Sequence, residues 1–340
     1  MEEIGKETKL SLEDLILKVE DFLALDLPER PVILHPWLKE KSNTLISGWR
    51  GAGKTWFIIT LMNAVTRGLM FGPWETITPV PCLYIDGELN DDEIQERLKS
   101  IQIGERKVPL YIYNECLMKE LGCPKASLLD PNWRDKILNF ILTHKIGLTG
   151  FDNLSALTGG ANPYDENTKK DWAPINDWLI DVKHKGCANI LVHHTGKGGD
   201  QRGTSEREDN IDTSILLAQP KDYRPEQGCR FVLKFTKKRT HQSEANLIQD
   251  HDFQLKEEDG KVDWEVSGHK GNTDLEILKM LSDGIKQSDI AKAFGITPPA
   301  ITKKKNGFIA KGWLDSEGKI TPVGKHELES SDWMNEEADV

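Results

Sequence analysis

Residues 48–55, Gly48-Trp49-Arg50-Gly51-Ala52-Gly53-Lys54-Thr55, satisfy the pattern G-x-x-x-x-G-K-[ST]. The chemistry of phosphate binding explains that spacing. Glycines at 48, 51 and 53 let the backbone close into a nest whose N–H groups point at phosphate oxygens. The apolar run 44–47 before the motif and the amphipathic run 56–69 after it predict a strand and then a helix. The helix start contributes unpaired N–H groups and the positive end of its dipole. Lys54 is placed to reach the β- and γ-phosphates, and the Thr55 hydroxyl to hold Mg²⁺. A glycine-rich turn that matches by chance would lack this strand–helix context. Gly48, Gly51, Ala52, Gly53, Lys54, Thr55 and Trp56 therefore form the candidate nucleotide-binding set, with ATP and Mg²⁺ as the expected ligands.

Three further runs end in residues able to act on such a ligand. Residues 81–86, bounded by proline and glycine, predict a buried parallel strand. Glu88 lies just past its carboxyl end, where open α/β sheets place their chemistry. A carboxylate there can orient and polarise an attacking water, although a turn or N-cap residue fits the position equally well. The apolar stretch within 146–157 ends in Asp152, which suits a Mg²⁺-holding carboxylate beside Thr55. The run 189–192 is capped by His193 and His194. A histidine pair is open to three readings: metal ligand, structural residue or γ-phosphate sensor. The sequence has no third ligand at zinc spacing, and the strand-tip position favours a γ-phosphate sensor.

The elements that must position these residues fit a chain of 340 residues, enough for one large domain and a small one. A net charge of −11 argues against wholesale coating of nucleic acid but leaves room for a local basic track. No run approaches a membrane span, and the acidic start Met-Glu-Glu has no signal-peptide hydrophobic region. The five cysteines are odd in number and form no C-x-x-C pair. That argues against a disulfide framework or a zinc site and for a reducing compartment. The expectation is a cytoplasmic protein with no membrane association.

Residues 1–30 read as a helical arm, with leucines at helical spacing over 4–26, packed either on its own domain or on a neighbouring subunit. Trp37 reads as exposed and close to the nucleotide base. Over 31–268, strands at 110–113, 211–218 and 230–235, helices at 133–144 and 172–185 and a hairpin at 251–264 complete an α/β core. Its sheet is expected to be mostly parallel. Two polar, glycine-rich segments, 158–170 and 196–209, predict flexible loops, the second carrying Lys197, Arg202 and Arg207 as candidate contacts. The run 236–239 puts Lys237 and Arg239 at a strand end, either as a solvated hairpin tip or as a finger reaching a neighbour's ATP. From 269 to 326 three short helices and a hairpin turning at Glu317-Gly318 predict a winged helix-turn-helix. Its third helix, with Lys303, Lys304 and Lys305, is charged for phosphate contact, and protein docking is the other reading. An acidic, frayed tail is expected over 327–340.

Across residues ~30–265 these motifs resemble the RepA-like ATPases, single-domain RecA-type proteins that include hexameric plasmid replicative helicases. The resemblance rests on GWRGAGKT, the strand ending in GEL with Glu88 and the downstream Arg97, GFDNLSAL, and HHTGKGGDQRGTS followed by DNID. It implies a RecA-like P-loop NTPase fold that forms homo-oligomeric rings, hexamers in those helicases, with ATP between subunits. It carries over Gly53, Lys54 and Thr55 as nucleotide ligands, Glu88 as catalytic base, Asp152 as the Mg²⁺ carboxylate and His194 as γ-phosphate sensor. Arg97 matches an active-site arginine. Lys237 and Arg239 match a Lys-x-Arg finger acting in trans, with Arg207 as competitor, and the two loops match channel loops that grip single-stranded DNA. The implied activity is that of a DNA-dependent ATPase and replicative helicase of a plasmid, phage or other mobile element. The winged helix lies outside the match and opens two alternatives: an ATP-gated regulator or initiator on duplex DNA, or an ATPase assembly that docks a protein.

Overall fold

The apolar runs become strands of one sheet, and the central ones are buried along almost their whole length because helices cover both faces. The computed structural model describes residues 12–101, 104–158, 169–194, 210–220, 222–238, 248–268, 273–293 and 297–332. They fall into two units, Met1–Pro31 and Val32–Val340.

In the second unit the chain runs β1 (Asn43–Gly48), α1 (Lys54–Arg67), β2 (Cys82–Asp86), α2 (Asp91–Ser100), β3 (Leu110–Asn114), α3 (Pro131–Thr143) and β4 (Leu148–Asp152). It continues through α4 (Lys169–His184), β5 (Ala188–His194), β6 (Thr213–Ala218), β7 (Arg230–Lys237), β8 (His251–Glu258) and β9 (Lys261–Gly268). The strand order is β9-β8-β7-β6-β1-β5-β4-β2-β3. From β6 to β3 the strands are parallel, whereas β7, β8 and β9 pair antiparallel at one side. The expected mostly parallel α/β sheet is thus present. Its parallel register brings the carboxyl ends of β1, β2, β4 and β5 to one edge.

Alternation along β1 assigns the two cores. Ile46 faces α1, where Phe57, Ile58, Leu61 and Val65 are buried, while Leu45 faces the layer of α3 and α4 with Ile137, Trp178 and Val182. Aromatic side chains clamp α1 from the antiparallel side. The Phe57 ring lies 5.1 Å from Phe71 and 5.9 Å from each of Phe231 and Phe253. Trp264 Nε1 donates to Thr60 Oγ1 at 2.8 Å. The helix that follows the glycine loop is therefore held from both sides. Trp37 belongs to this packing and corrects the expectation of exposure: it is 3% exposed, 5.6 Å from Trp74 and 5.9 Å from Phe235. Nothing periodic marked that short segment, and only its antiparallel pairing (Val32–Leu34 with Leu38–Lys39) turns the indole inward.

In the first unit the described residues, from Leu12 on, form two short helical pieces, Leu12–Leu15 and Val19–Leu23, with Lys18 extended before the second. The second piece buries no residue. Helices this short have no intrinsic stability without tertiary contacts, which explains the break.

The three expected C-terminal helices are α5 (Thr273–Ser282), α6 (Gln287–Ala293) and α7 (Pro298–Ala310). Leu275, Leu278, Ile290, Ile301 and Phe308 share a separate apolar cluster. Residues 313–321 form a single antiparallel bridge, Leu314 with Ile320, rather than a full hairpin. α8 (Pro322–Asp332) continues past His326, with Leu328 packed on the same cluster, and residues 333–340 of the expected tail lie outside the described residues. Among the described residues no helix is long and apolar enough to cross a membrane.

Candidate active site

The glycine loop leaves β1 at Gly48 and enters α1 at Lys54. Gly51 and Gly53 take positive φ of 82° and 88°, a region in which only glycine is unstrained. At Gly53 space is a second constraint, because a Cβ there would overlap Cys229 Sγ at the start of β7. The Cys229 thiol donates to Ala52 O at 3.8 Å, and burial pushes it up to about 12 and keeps it protonated for that role. Arg230 fixes Cys229 in place through Asp252, with contacts of 3.1 and 2.7 Å, and through Asp222 at 3.1 Å. A Gly53→Ala change combines the backbone strain with the clash. Its melting temperature is expected to fall by several degrees with nucleotide binding lost, and Cys229→Ala on the same chain should recover only part of the stability. Full recovery in a thermal melt would show that the positive φ is unimportant.

Lys54 is 4% exposed and donates from Nζ to Gly48 O at 2.9 Å and Trp49 O at 2.7 Å. Burial holds its ammonium down to about 8, against the pull of Asp152 and Glu88. A buried cation with no direct carboxylate partner among the described residues suits an anionic ligand at the mouth of the loop.

Opposite the loop, Asp152 closes β4, fully buried. Burial raises its carboxyl, opposed by hydrogen bonds from the Thr55 side chain and the Tyr84 hydroxyl and by the charge of Lys54. The Tyr84 bond is 3.0 Å long. Thr55 and Asp152, the two residues expected at the metal, are thus directly joined. Their hard oxygen donors fit Mg²⁺.

Glu88 sits in the turn after β2, and Asn153 ties it to the sensor position. Asn153 Nδ2 donates to Glu88 Oε2 and approaches His194 Nε2 at 3.1 Å, while Asn153 Oδ1 accepts from Ala156 N at 3.0 Å. That last bond fixes the amide orientation. An amide nitrogen only donates, so His194 Nε2 is the acceptor and its ring is neutral. The electrostatics agree, because burial first and Lys54 second hold His194 below its ordinary value, although Glu88 pulls the other way. The 3.6 Å approach of His194 to Glu88 is therefore not an ion pair. His194 stands at the tip of β5 with Glu88 and Lys54, in the place expected of a sensor, and His193 is buried.

The remaining expectations divide. Arg97 stacks over the Trp56 ring at 5.0 Å, on the first turn of α1, and no described bond joins it to Glu88. Lys237 pairs with Ser214 at the start of β6, whereas Gly48 pairs with Leu217 near its end. Antiparallel pairing therefore carries Lys237 to the sheet edge away from the loop of its own chain. Lys303, Lys304 and Lys305 follow one another along α7. Lys197, Arg202, Arg207 and Arg239, with 159–168 and the rest of 195–209, lie outside the described residues.

Four site residues escaped the sequence reading: Asp86, Asn114, Asn153 and Cys229. Asp86 closes β2 directly beside Asp152 in the register. It is 1% exposed, and burial followed by Asp152 pushes its carboxyl up to about 7. Asp86 Oδ2 accepts from Leu89 N at 3.0 Å and Asn114 Nδ2 at 2.9 Å, whereas Asp86 Oδ1 is buried without a hydrogen-bond partner among the described residues. The IDGE run was a usable signal, since it puts two carboxylates at one strand tip.

A family model described as AAA domain (AAA_25) matches residues 6–200, a span that contains the glycine loop, Glu88, Asp152 and His194. No curated protein matches the sequence. Among solved structures, a KaiC-like protein from the hyperthermophilic archaeon Pyrococcus horikoshii OT3 is similar, at 14% identity and a TM-score of 0.49, covering 68% of this chain and 93% of that one.

Proposed function

This chain belongs to the AAA domain family, as a P-loop ATPase with a RecA-like α/β core, and on that premise we propose that it is a ring-forming, DNA-dependent ATPase that hydrolyses ATP with Mg²⁺, a RepA-like replicative helicase. The observation that carries the proposal is the division of the site between two sheet edges. Lys54, Thr55, Asp152, Glu88 and His194 gather at the carboxyl edge. Lys237 lies at the other end of its strand pairing, toward the sheet edge opposite its own chain's loop. A basic finger so placed serves a nucleotide only on a neighbouring copy, and such a finger contributes about 10³–10⁵-fold to turnover in related chemistry. This supports assembly into a ring, a hexamer by the resemblance.

Within the site, Thr55 and Asp152 would hold Mg²⁺, which supplies charge neutralisation between the phosphates. Glu88 takes the proton of the attacking water, held for that purpose by Asn153. Neutral His194, sharing the same amide, reads the γ-phosphate. Any change at His194 then reaches Glu88 through one side chain.

A second reading is favoured by α7. Its three consecutive lysines, in a three-helix cluster followed by a bridged turn, suit a winged helix that contacts duplex phosphates. ATP would then gate assembly on a duplex site.

The test is steady-state ATP hydrolysis without DNA, with duplex and with single-stranded DNA, on samples sized by light scattering. Strong single-strand stimulation in a ring-sized particle is the expected result. A monomer indifferent to DNA would overturn the motor. Preference for duplex, lost in the combined Lys303→Ala, Lys304→Ala and Lys305→Ala variant while basal hydrolysis survives, would select the regulator.

A further inference from the structure

We propose that Asp86 is a second carboxylate of the magnesium site and the mechanical link from that site to Glu88. The inference rests on the Mg²⁺-ATP reading above and adds a residue to it.

The two oxygens of Asp86 are in different situations. Oδ2 is engaged by Leu89 N at 3.0 Å and by Asn114 Nδ2 at 2.9 Å. Asn114 also donates to Leu89 O at 2.9 Å and accepts from Leu117 N at 2.8 Å, capping the helix Glu115–Glu120. The turn that carries Glu88 is therefore pinned to the tip of β3 through Asp86. The Glu88 backbone N–H also bonds this carboxylate, yet Oδ1 itself is buried and has no hydrogen-bond partner among the described residues. A buried, unmatched carboxylate oxygen is costly unless a ligand or ion satisfies it.

Its neighbour identifies the ligand class. Asp86 lies opposite Asp152 in the β2–β4 pairing, and Asp152 is joined to Thr55. Two buried carboxylates side by side repel, and either a proton on one of them or a cation between them relieves that repulsion. The buried Lys54 bonds the carbonyls of Gly48 and Trp49 instead. A hard divalent cation that keeps part of its water shell and takes only one or two carboxylates matches the charge and donor type. Asp86 would hold one of that ion's waters through Oδ1 while Oδ2 keeps Glu88 in register. Metal occupancy and placement of the base would then depend on the same side chain.

The test separates this proposal from the general reading. Binding of a fluorescent ADP analogue is titrated with MgCl2, first in the wild type. Binding that Mg²⁺ does not strengthen in the wild type would sink the Mg²⁺-nucleotide reading itself. If Mg²⁺ does strengthen it, Asp86→Asn is expected to raise the Mg²⁺ concentration at half-effect by about tenfold, near the loss of one charged hydrogen bond, with metal-free affinity unchanged. Asn114→Ala, which releases the turn but keeps the carboxylate, should leave the Mg²⁺ midpoint alone and lower turnover. An unchanged midpoint in Asp86→Asn would overturn the proposal. Should Asp86→Asn not fold, Fe²⁺ substituted for Mg²⁺ on the wild type, with ascorbate and peroxide, should cut the backbone at 86 as well as at 55 and 152. Cuts at 55 and 152 without one at 86 would overturn it too.

Discussion

Lys54→Ala is expected to abolish measurable ATP turnover and to weaken nucleotide binding by at least about 100-fold, because charge-assisted hydrogen bonds of about 1.5–3 kcal/mol each are lost at two phosphates. The free protein should tolerate the change. The Lys54 ammonium is almost fully buried and held down to about 8 by desolvation, so the fold bears a cost to keep a cation there. Removing it relieves that cost while it frees Gly48 O and Trp49 O, which Nζ now satisfies. The melting temperature without ligand should therefore stay close to that of the parent, while stabilisation by added nucleotide disappears. Both quantities come from one series of thermal melts. Nucleotide binding within about threefold of the parent in a companion titration would remove Lys54 from the phosphate site.

Glu88→Gln separates binding from chemistry. The amide keeps the length of the side chain and an oxygen able to accept from Asn153 Nδ2, but it cannot take a proton from water. Loss of a general base costs about 10²–10⁴-fold, so turnover should drop by that factor while nucleotide affinity stays within a few-fold of the parent. Glu88 bonds neither the glycine loop nor Asp152 in the described contacts, which is why binding is expected to survive. Single-turnover hydrolysis beside equilibrium binding checks the claim. Normal hydrolysis by this variant would return Glu88 to the role of a turn residue and shift attention to Asp86 two positions earlier.

The contrast between these variants and Asn153 shows what was legible in advance. Lys54, Thr55 and Glu88 stand in local patterns, where neighbours in sequence fix both the conformation and the reason for the residue type. Asn153 has no such pattern. Its amide matters because β4 lies between β2 and β5 in the sheet, so that residues 88 and 194 meet on either side of it. Cys229 is a sharper case, since its thiol fills the space that a side chain at Gly53 would occupy, from a strand far along the chain. Trp37 and the N-terminal leucines meet a related limit of local pattern. A short apolar segment and a leucine-rich run say that something must be covered, but not by what.

Composition and local spacing by themselves determined that this chain carries a phosphate loop between strand and helix. They also determined that carboxylates and a histidine follow at strand ends and that the core is α/β with a mostly parallel sheet. Those properties depend on interactions within a few residues: glycine conformation, strand and helix periodicity, and helix polarity. Only the tertiary structure decided which residues share a site. Strand order set Asn153 between the base and the sensor, and register set Asp86 beside Asp152. The antiparallel turn of β7 carried Lys237 away from its own chain's loop while bringing Cys229 up to Gly53. Each of these is a non-local pairing, and which strands pair depends on how the whole sheet buries its two faces rather than on any one stretch of the chain.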